Sequence, residues 1–176
     1  MKVLSDYCIL ICMLGESVYS TTRVSIMRFN QAWLLDPEYY QSYWGFGSVM
    51  LSEKKSDKAI IYFERALELI DDADNQNPRL LVDSARAYAM KANQIKEKDP
   101  KNSTKLFKIA NSHIDKALEL DPNYKSAYKF GSIVADLQGD YNRVWNIVKK
   151  SRESGAYKFD AEFIKKLTSI MPEPNM

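Results

Sequence analysis

Residues 43–66 read YWGFGSVMLSEKKSDKAIIYFERA, and the spacing of large and small residues in this stretch decides the fold. In each half of the stretch, the large apolar and small residues lie on one face of a helix. They are Tyr43, Phe46, Gly47 and Met50 in the first half, and Ala59, Phe63 and Ala66 in the second. Small residues let two helices approach closely, while aromatic side chains fill the remaining space. The stretch therefore predicts two packed helices joined by a short polar turn.

Aspartate-proline pairs mark the boundaries between such units. Asp36 and Pro37 follow one helical segment, and Asp121 and Pro122 follow another. Proline cannot extend the preceding helix but suits the first turn of the next, where an aspartate can cap the N-terminus. We therefore predict that Asp36 and Asp121 cap the helices that begin at these hinges.

The pattern resembles the tetratricopeptide-repeat family, in which a large residue, two spacers, an apolar residue and a glycine are answered by Ala-x-x-x-Phe on the next helix. The resemblance implies an all-α, tetratricopeptide-type helical repeat solenoid of antiparallel helix pairs with a C-terminal capping helix. Its predicted parts are a degenerate first repeat over residues 1–36, repeats over 37–71, 78–121 and 122–152, and a capping helix over 159–171. With 176 residues, the chain is expected to form a single domain.

The third repeat carries an insertion, with an inserted loop predicted near residues 97–104. Either its two helices are longer than those of the family, or the loop protrudes. Five lysines lie in or beside the insertion, but Glu97 and Asp99 interrupt them, which favours a solvated helix junction. Because the net charge is only +2, from 25 basic and 23 acidic residues, we expect no nucleic-acid partner.

The cysteines, the histidine and the N-terminus give no metal or cofactor signal. Cys8 and Cys12 lie four apart in an apolar run, where thiols serve as small hydrophobic fillers and a disulfide is disfavoured. His113 has no ligand cluster beside it. The apolar run over residues 7–14 is too short to span a bilayer, so membrane association is expected only if the N-terminus is anchored. We interpret this run as the first helix of the degenerate first repeat, with an atypical or truncated export signal as the alternative.

Three segments look similar to a group of small bacterial tetratricopeptide-repeat proteins: RFNQAWLLDP at residues 28–37, YWGFG at 43–47 and MPEP at 171–174. Members of that group are often exported, sometimes as lipoproteins. The resemblance implies a periplasmic or envelope location, whereas the N-terminus as given, with Asp6 before its apolar run, implies a cytoplasmic one.

The first helices of stacked repeats line the inner, concave wall, so their outward side chains are the binding candidates. The predicted set is Gln41, Trp44, Ser48, Arg79, Asp83, Arg86 and Lys129. Trp44 is the main candidate because a rigid aromatic anchors a partner with little loss of entropy; a core position between repeats is the alternative. Arg79 and Arg86 suit a carboxylate or phosphate, with solvated helix charges as the alternative. Val82 is an apolar candidate on the same helix.

Chaperone-binding members of the family bind a C-terminal carboxylate of their partner through a carboxylate clamp, which consists of Lys, Asn, Asn, Lys and Arg at fixed positions of the groove. The corresponding positions here hold Trp44, Ser48, Asp83, Ser126 and Phe130, so the clamp is absent. A more apolar, aromatic groove predicts recognition of a peptide or a helical segment of a protein partner.

Catalysis is not expected, because no nucleophile–histidine pair, phosphate loop or metal-ligand spacing occurs in the sequence. The alternative to a binding scaffold is a structural or assembly subunit of a homo-oligomeric or envelope-associated complex. An exposed apolar patch on the first or last helix would favour that alternative. The sequence leaves the oligomeric state and the partner open.

Overall fold

The computed structural model describes residues 22–70 and 77–174, and within these ranges the chain forms eight α-helices and no strand. The helices are α1 (Thr22–Leu35), α2 (Tyr40–Ser52), α3 (Ser56–Glu68), α4 (Pro78–Ile95), α5 (Pro100–Leu120), α6 (Lys125–Gln138), α7 (Tyr141–Ser154) and α8 (Ala161–Ile170). The all-α prediction is confirmed. The predictions for Cys8, Cys12 and the run over residues 7–14, and the end of the second repeat at Asp71, lie outside the described residues.

The chain divides into two compact units, Met1–Gln76 and Asn77–Met176. The boundary lies between the second and third predicted repeats. Helices α1 to α3 lie in the first unit and α4 to α8 in the second.

In the first unit, α2 packs against α3 at the predicted small residues. A Cβ atom added at Gly47 would lie 2.6 Å from the ring of Phe63, and Ala59, Phe63 and Ala66 are completely buried. On the other side of α2, the Phe29 ring of α1 occupies the space beside Gly45. Two glycines in one helix thus let α2 approach both of its neighbours.

In the second unit, α4 packs against α5, α6 packs against α7, and α6 also contacts α4 and α5. Gly131 makes this position of α6 possible. A Cβ atom there would lie 2.9 Å from Ile114 Cγ2 on α5 and 3.3 Å from Ile147 Cδ1 on α7. The missing side chain lets α6 approach the two helices together.

Helix α8 covers the end of the second unit, as predicted for a capping helix. Its Leu167 is buried in a cluster with Trp145 and Val148 of α7. The Trp145 indole also donates from Nε1 to the carbonyl oxygen of Met171, at 3.1 Å. Asp160 caps the start of the helix by accepting from the Phe163 amide at 2.6 Å.

The two aspartate-proline hinges differ from the prediction. Helices α2 and α6 begin well after the prolines, and neither has a side-chain cap. Instead, Asp36 Oδ1 accepts from the Glu38 amide at 3.1 Å, and Asp121 Oδ1 accepts from the Asn123 amide at 2.9 Å. The N-cap prediction for Asp36 and Asp121 is wrong because each carboxylate closes a turn before its helix.

The insertion in the third repeat lengthens two helices. Helix α4 has 18 residues and α5 has 21, whereas the other described helices have 14 or fewer. Only residues 96–99 connect them, so residues 100–104, predicted as part of a loop, belong to the start of α5. Pro100 occupies the first helical position and Asp99 caps it by accepting from the Asn102 amide at 3.0 Å, an arrangement that favours an early helix start.

Candidate functional site

Three of the predicted binding residues lie on one stripe of α2, because Gln41, Trp44 and Ser48 are spaced by three and four positions. All three are half-buried. Ser48 Oγ donates to the carbonyl oxygen of Trp44 at 3.0 Å, and Gln41 Oε1 accepts from the Tyr39 hydroxyl at 2.9 Å. Trp44 is therefore neither fully buried nor fully exposed.

Tyr43, which is adjacent to Trp44, connects the three helices of the first unit. Its hydroxyl accepts from Trp33 Nε1 on α1 at 3.0 Å, and Arg65 Cζ on α3 lies 5.9 Å from the centre of its ring. Hydrogen bonds to Glu68 and then to Tyr43 raise the pKa of Arg65 above its already high ordinary value. Helix α2, which carries Trp44, is therefore held against both neighbouring helices by Tyr43.

In the second unit, the structure brings together Asp83 and Arg86 of α4 with Lys129 of α6. Arg86 donates to Asp83 Oδ1 at 2.9 Å, one turn away on the same helix. The Arg86 Cζ atom lies 4.3 Å from the centre of the Phe130 ring, and Lys129 Nζ lies 5.8 Å from it. Both distances are within the range of a cation–π contact. Two of the three predicted residues therefore meet on one aromatic ring.

The predicted set omits Phe130, although it forms the centre of this arrangement. In the sequence, the signal for Phe130 is an arginine on the first helix of one repeat and an aromatic residue on the first helix of the next repeat. Such a pair can place a guanidinium over a ring. Ile133, one turn after Lys129, is exposed. We call the five residues together the α4–α6 face: Asp83, Arg86, Lys129, Phe130 and Ile133.

Two other predicted positions on α4 behave differently. Arg79 is exposed at the start of the helix, where its backbone amide donates to Asn77 Oδ1 at 2.9 Å. Arg79 lies four residues before Asp83, and this spacing places the two side chains on the same side of α4. Val82 is only 2% exposed, so it is not available to a partner as predicted. Leu80 and Leu81 are also buried, and a helix with three consecutive buried residues is enclosed on most of its circumference.

Metal-ligating side chains do not gather in the described ranges. No group of three or more histidine, cysteine, aspartate or glutamate side chains in those ranges is placed to hold a metal ion. The His113 ring packs edge-to-face against Tyr88, with centroids 5.7 Å apart. Of the helices that the structure describes, none has the length and apolar character needed to cross a membrane.

No protein-family model and no curated protein sequence matches the chain. Among solved structures, TTC0263, a thermophilic tetratricopeptide-repeat protein of Thermus thermophilus, is similar with a TM-score of 0.68 and 13% identity; the match covers 97% of this chain and 83% of that one. YrrB, described as a tetratricopeptide-repeat protein with an unusual peptide-binding site, gives a TM-score of 0.39 at 15% identity, covering 94% of this chain and 90% of its own. The likeness to TTC0263 confirms the predicted tetratricopeptide-repeat fold.

Proposed function

We propose, from the tetratricopeptide-repeat fold and the geometry of the α4–α6 face, that this protein is a binding scaffold for a peptide or helical segment of a protein partner. The observation that carries the proposal is Arg86, which stacks 4.3 Å above Phe130 while it donates to Asp83. A scaffold of this kind needs no catalytic group, and we propose no enzymatic activity.

The Arg86 side chain is held in place but remains accessible. It is 40% exposed, and the side chain of Asp83 is 24% exposed. Two partners fix the planar guanidinium, so binding costs less side-chain entropy than it would for a mobile arginine. A guanidinium has five N–H donors, and the bond to Asp83 Oδ1 uses only part of this capacity. The remaining donors suit a carboxylate or carbonyl oxygen of a partner.

Apolar surface lies beside this charge. Phe130 is half-buried under Arg86, and Ile133 is 42% exposed on the same helix. A partner segment with one apolar stripe and an adjacent acidic or carbonyl oxygen matches this combination, which is the usual form of a helix or peptide laid into a groove. We therefore assign the partner segment an amphipathic, partly acidic character.

In the first unit, we propose that Trp44 provides an aromatic anchor, with Gln41 and Ser48 as polar contacts. In the second unit, Arg79 adds a further exposed cation on α4. Aromatic and arginine side chains dominate measured binding energies at interfaces, which supports giving Trp44 and Arg86 the main roles.

The test is crosslinking affinity capture from the source cells with the full chain, comparing the native protein with Arg86→Glu and with Trp44→Ala. The matched control is Lys116→Glu, which reverses one exposed charge on α5. We expect both test variants to lose a partner that the native protein and the control retain, with unchanged helicity and melting. A segment of that partner should then bind the native chain at least about tenfold more tightly than the Arg86 variant, as for a buried interface charge. Equal capture by all four proteins would refute the proposal.

A second candidate function, self-assembly, is favoured by an apolar stripe on α1. Val24, Met27 and Leu34 share one face of this helix by spacing and are all exposed, Leu34 to 72%. Exposed apolar stripes of this kind mark interaction surfaces. Analytical ultracentrifugation across a wide range of protein concentration tests this candidate: a concentration-dependent mass that Leu34→Asp abolishes would support it, and a constant monomer mass would exclude it.

A further inference from the structure

A cavity of about 520 Å³ lies between α5 and α7, and its lining includes none of the five residues of the α4–α6 face. Leu118 of α5 and Ile147 of α7 supply its apolar lining, together with the ring of Tyr128. A Cβ atom at Gly131 of α6 would lie 3.3 Å from Ile147 Cδ1, so the glycine leaves room for this side chain. We call this space the α5–α7 cavity.

An ion pair closes one side of the cavity. Arg143 of α7 donates to Asp115 Oδ1 of α5 at 2.7 Å and to the carbonyl oxygen of Asn111 at 3.3 Å. The Arg143 and Asp115 side chains are 22% and 48% exposed, so this bridge is largely withdrawn from solvent on the arginine side. The two opposite charges compensate each other, and neither determines which ligand the cavity attracts.

The remaining charges of the cavity favour a cation. Glu119 on α5 and Glu153 on α7 are exposed, and across the ranges that the structure describes neither is paired with a basic side chain. Lys150 of α7 is the opposing charge in the lining. Two carboxylates against one ammonium leave a net negative rim above an apolar lining.

An arginine side chain has the chemistry that this arrangement requires. Its methylene groups pack on apolar surface while the guanidinium stays at a polar rim, and its planar fork can donate to two acceptors at once. A hydrogen bond from a guanidinium to a carboxylate is also among the stronger polar contacts. Leu118 and Ile147 can pack against the methylene groups, and the glutamates of α5 and α7 can accept hydrogen bonds from the guanidinium.

We propose that the α5–α7 cavity binds an arginine side chain presented by a protein partner. The methylene groups pack on Leu118 and Ile147, and the guanidinium donates to Glu119 and Glu153. This site is separate from the α4–α6 face, and the inference does not depend on the function proposed for that face.

The probe for this site is a blocked tripeptide, acetyl-Leu-Arg-Leu-amide, titrated into the full isotope-labelled chain and followed by amide chemical shifts. Its matched partner replaces arginine with citrulline, which keeps the shape and removes the charge. We expect saturable shifts at Leu118, Ile147 and Glu153 with the arginine peptide, and binding at least about fivefold weaker with the citrulline peptide, as for loss of a charge-assisted hydrogen bond.

Two variants are expected to change the affinity in opposite directions. Glu153→Gln should weaken binding about two- to fivefold, and Lys150→Gln should strengthen it to a similar extent, as for charges at an exposed rim. The control Glu162→Gln changes an exposed carboxylate on α8 and should leave the affinity unchanged. A general loss of structure would not move the two cavity variants in opposite directions.

Three results would overturn the inference. They are equal affinity for the arginine and citrulline peptides, saturable shifts confined to residues outside the cavity, and an affinity that neither Glu153→Gln nor Lys150→Gln alters. The capture experiment on the α4–α6 face is independent of all three, because its test variants change Trp44 on α2 and Arg86 on α4, and neither residue lines the cavity.

Discussion

The ring of Phe63 occupies the space that a side chain at Gly47 would need. A Cβ atom at position 47 would lie 2.6 Å from Phe63 Cδ1 and Cε1 and 3.0 Å from Cζ, and the ring is completely buried. Glycine inside a helix costs about 0.5 to 1 kcal/mol relative to alanine. The close approach of α2 and α3 offsets that cost, since it lets a large aromatic side chain pack against a bare backbone.

Gly47→Ala is therefore expected to destabilise the first unit, although alanine is the better helix former. Forcing a methyl group into a filled site costs about 1 to 3 kcal/mol, which exceeds the gain in helix propensity. Urea denaturation followed by hydrogen exchange at the α2 and α3 amides measures the effect. Gly131→Ala is the comparison, and we expect a smaller cost because a Cβ atom there would lie 2.9 Å from Ile114 Cγ2 and 3.3 Å from Ile147 Cδ1, farther than the 2.6 Å that separates it from the Phe63 ring at position 47. A more stable Gly47 variant would contradict this account.

The sequence predicts such packing positions well because each depends on a short, local spacing. Ala59, Phe63 and Ala66 lie within two turns of one helix, and all three are buried as predicted. The start of α2 was harder to predict, because an aspartate before a proline suits both a helix cap and a turn. The bond from the Glu38 amide to Asp36 Oδ1 decides between them, and it depends on backbone angles that the residue types alone do not fix.

The candidate site depended on contacts between distant parts of the chain, so the sequence predicted less of it. Arg86 and Phe130 lie on different helices, and their stacking follows from how α4 packs against α6. Val82 was misassigned for a related reason. Its spacing along the helix suits a groove position. Val82 is nevertheless buried, because how many helices surround α4 depends on tertiary packing, which local spacing does not determine.

Gly139 tests backbone conformation separately from packing. It ends α6 with a φ of 84°, and a Cβ atom there would have no neighbour within 4 Å. Gly139→Ala should lower the free energy of unfolding of the second unit by about 1 kcal/mol, because a left-handed conformation is costly for a residue with a side chain. Gly139→Asn should cost less, since asparagine tolerates this conformation. Thermal melts of the three proteins measure the order, and equal stability of the two variants would refute the conformational explanation.

The Asp115–Arg143 bridge is expected to contribute modestly to stability. Because the Asp115 side chain is 48% exposed, the pair should behave more like a surface ion pair than a buried one. A double-mutant cycle with Asp115→Ala and Arg143→Ala should give a coupling free energy of about 0.5 to 1 kcal/mol. The coupling should fall when salt is raised, since screening weakens exposed pairs. A coupling several times larger, and insensitive to salt, would mean that the pair acts as a buried ion pair.

Leu167 tests whether α8 is held by a few buried contacts or by its whole surface. It is 4% exposed and packs with Trp145 and Val148, whereas Ile170 on the same helix is 46% exposed. Leu167→Ala should cost about 2 to 4 kcal/mol through the cavity it leaves, while Ile170→Ala should stay within about 0.5 kcal/mol. Hydrogen exchange should show lost protection throughout α8 in the Leu167 variant and native protection in the Ile170 variant. If both variants lose protection equally, α8 is held by its exposed face as much as by its buried one, and its role as the covering helix of α7 would have to be reconsidered.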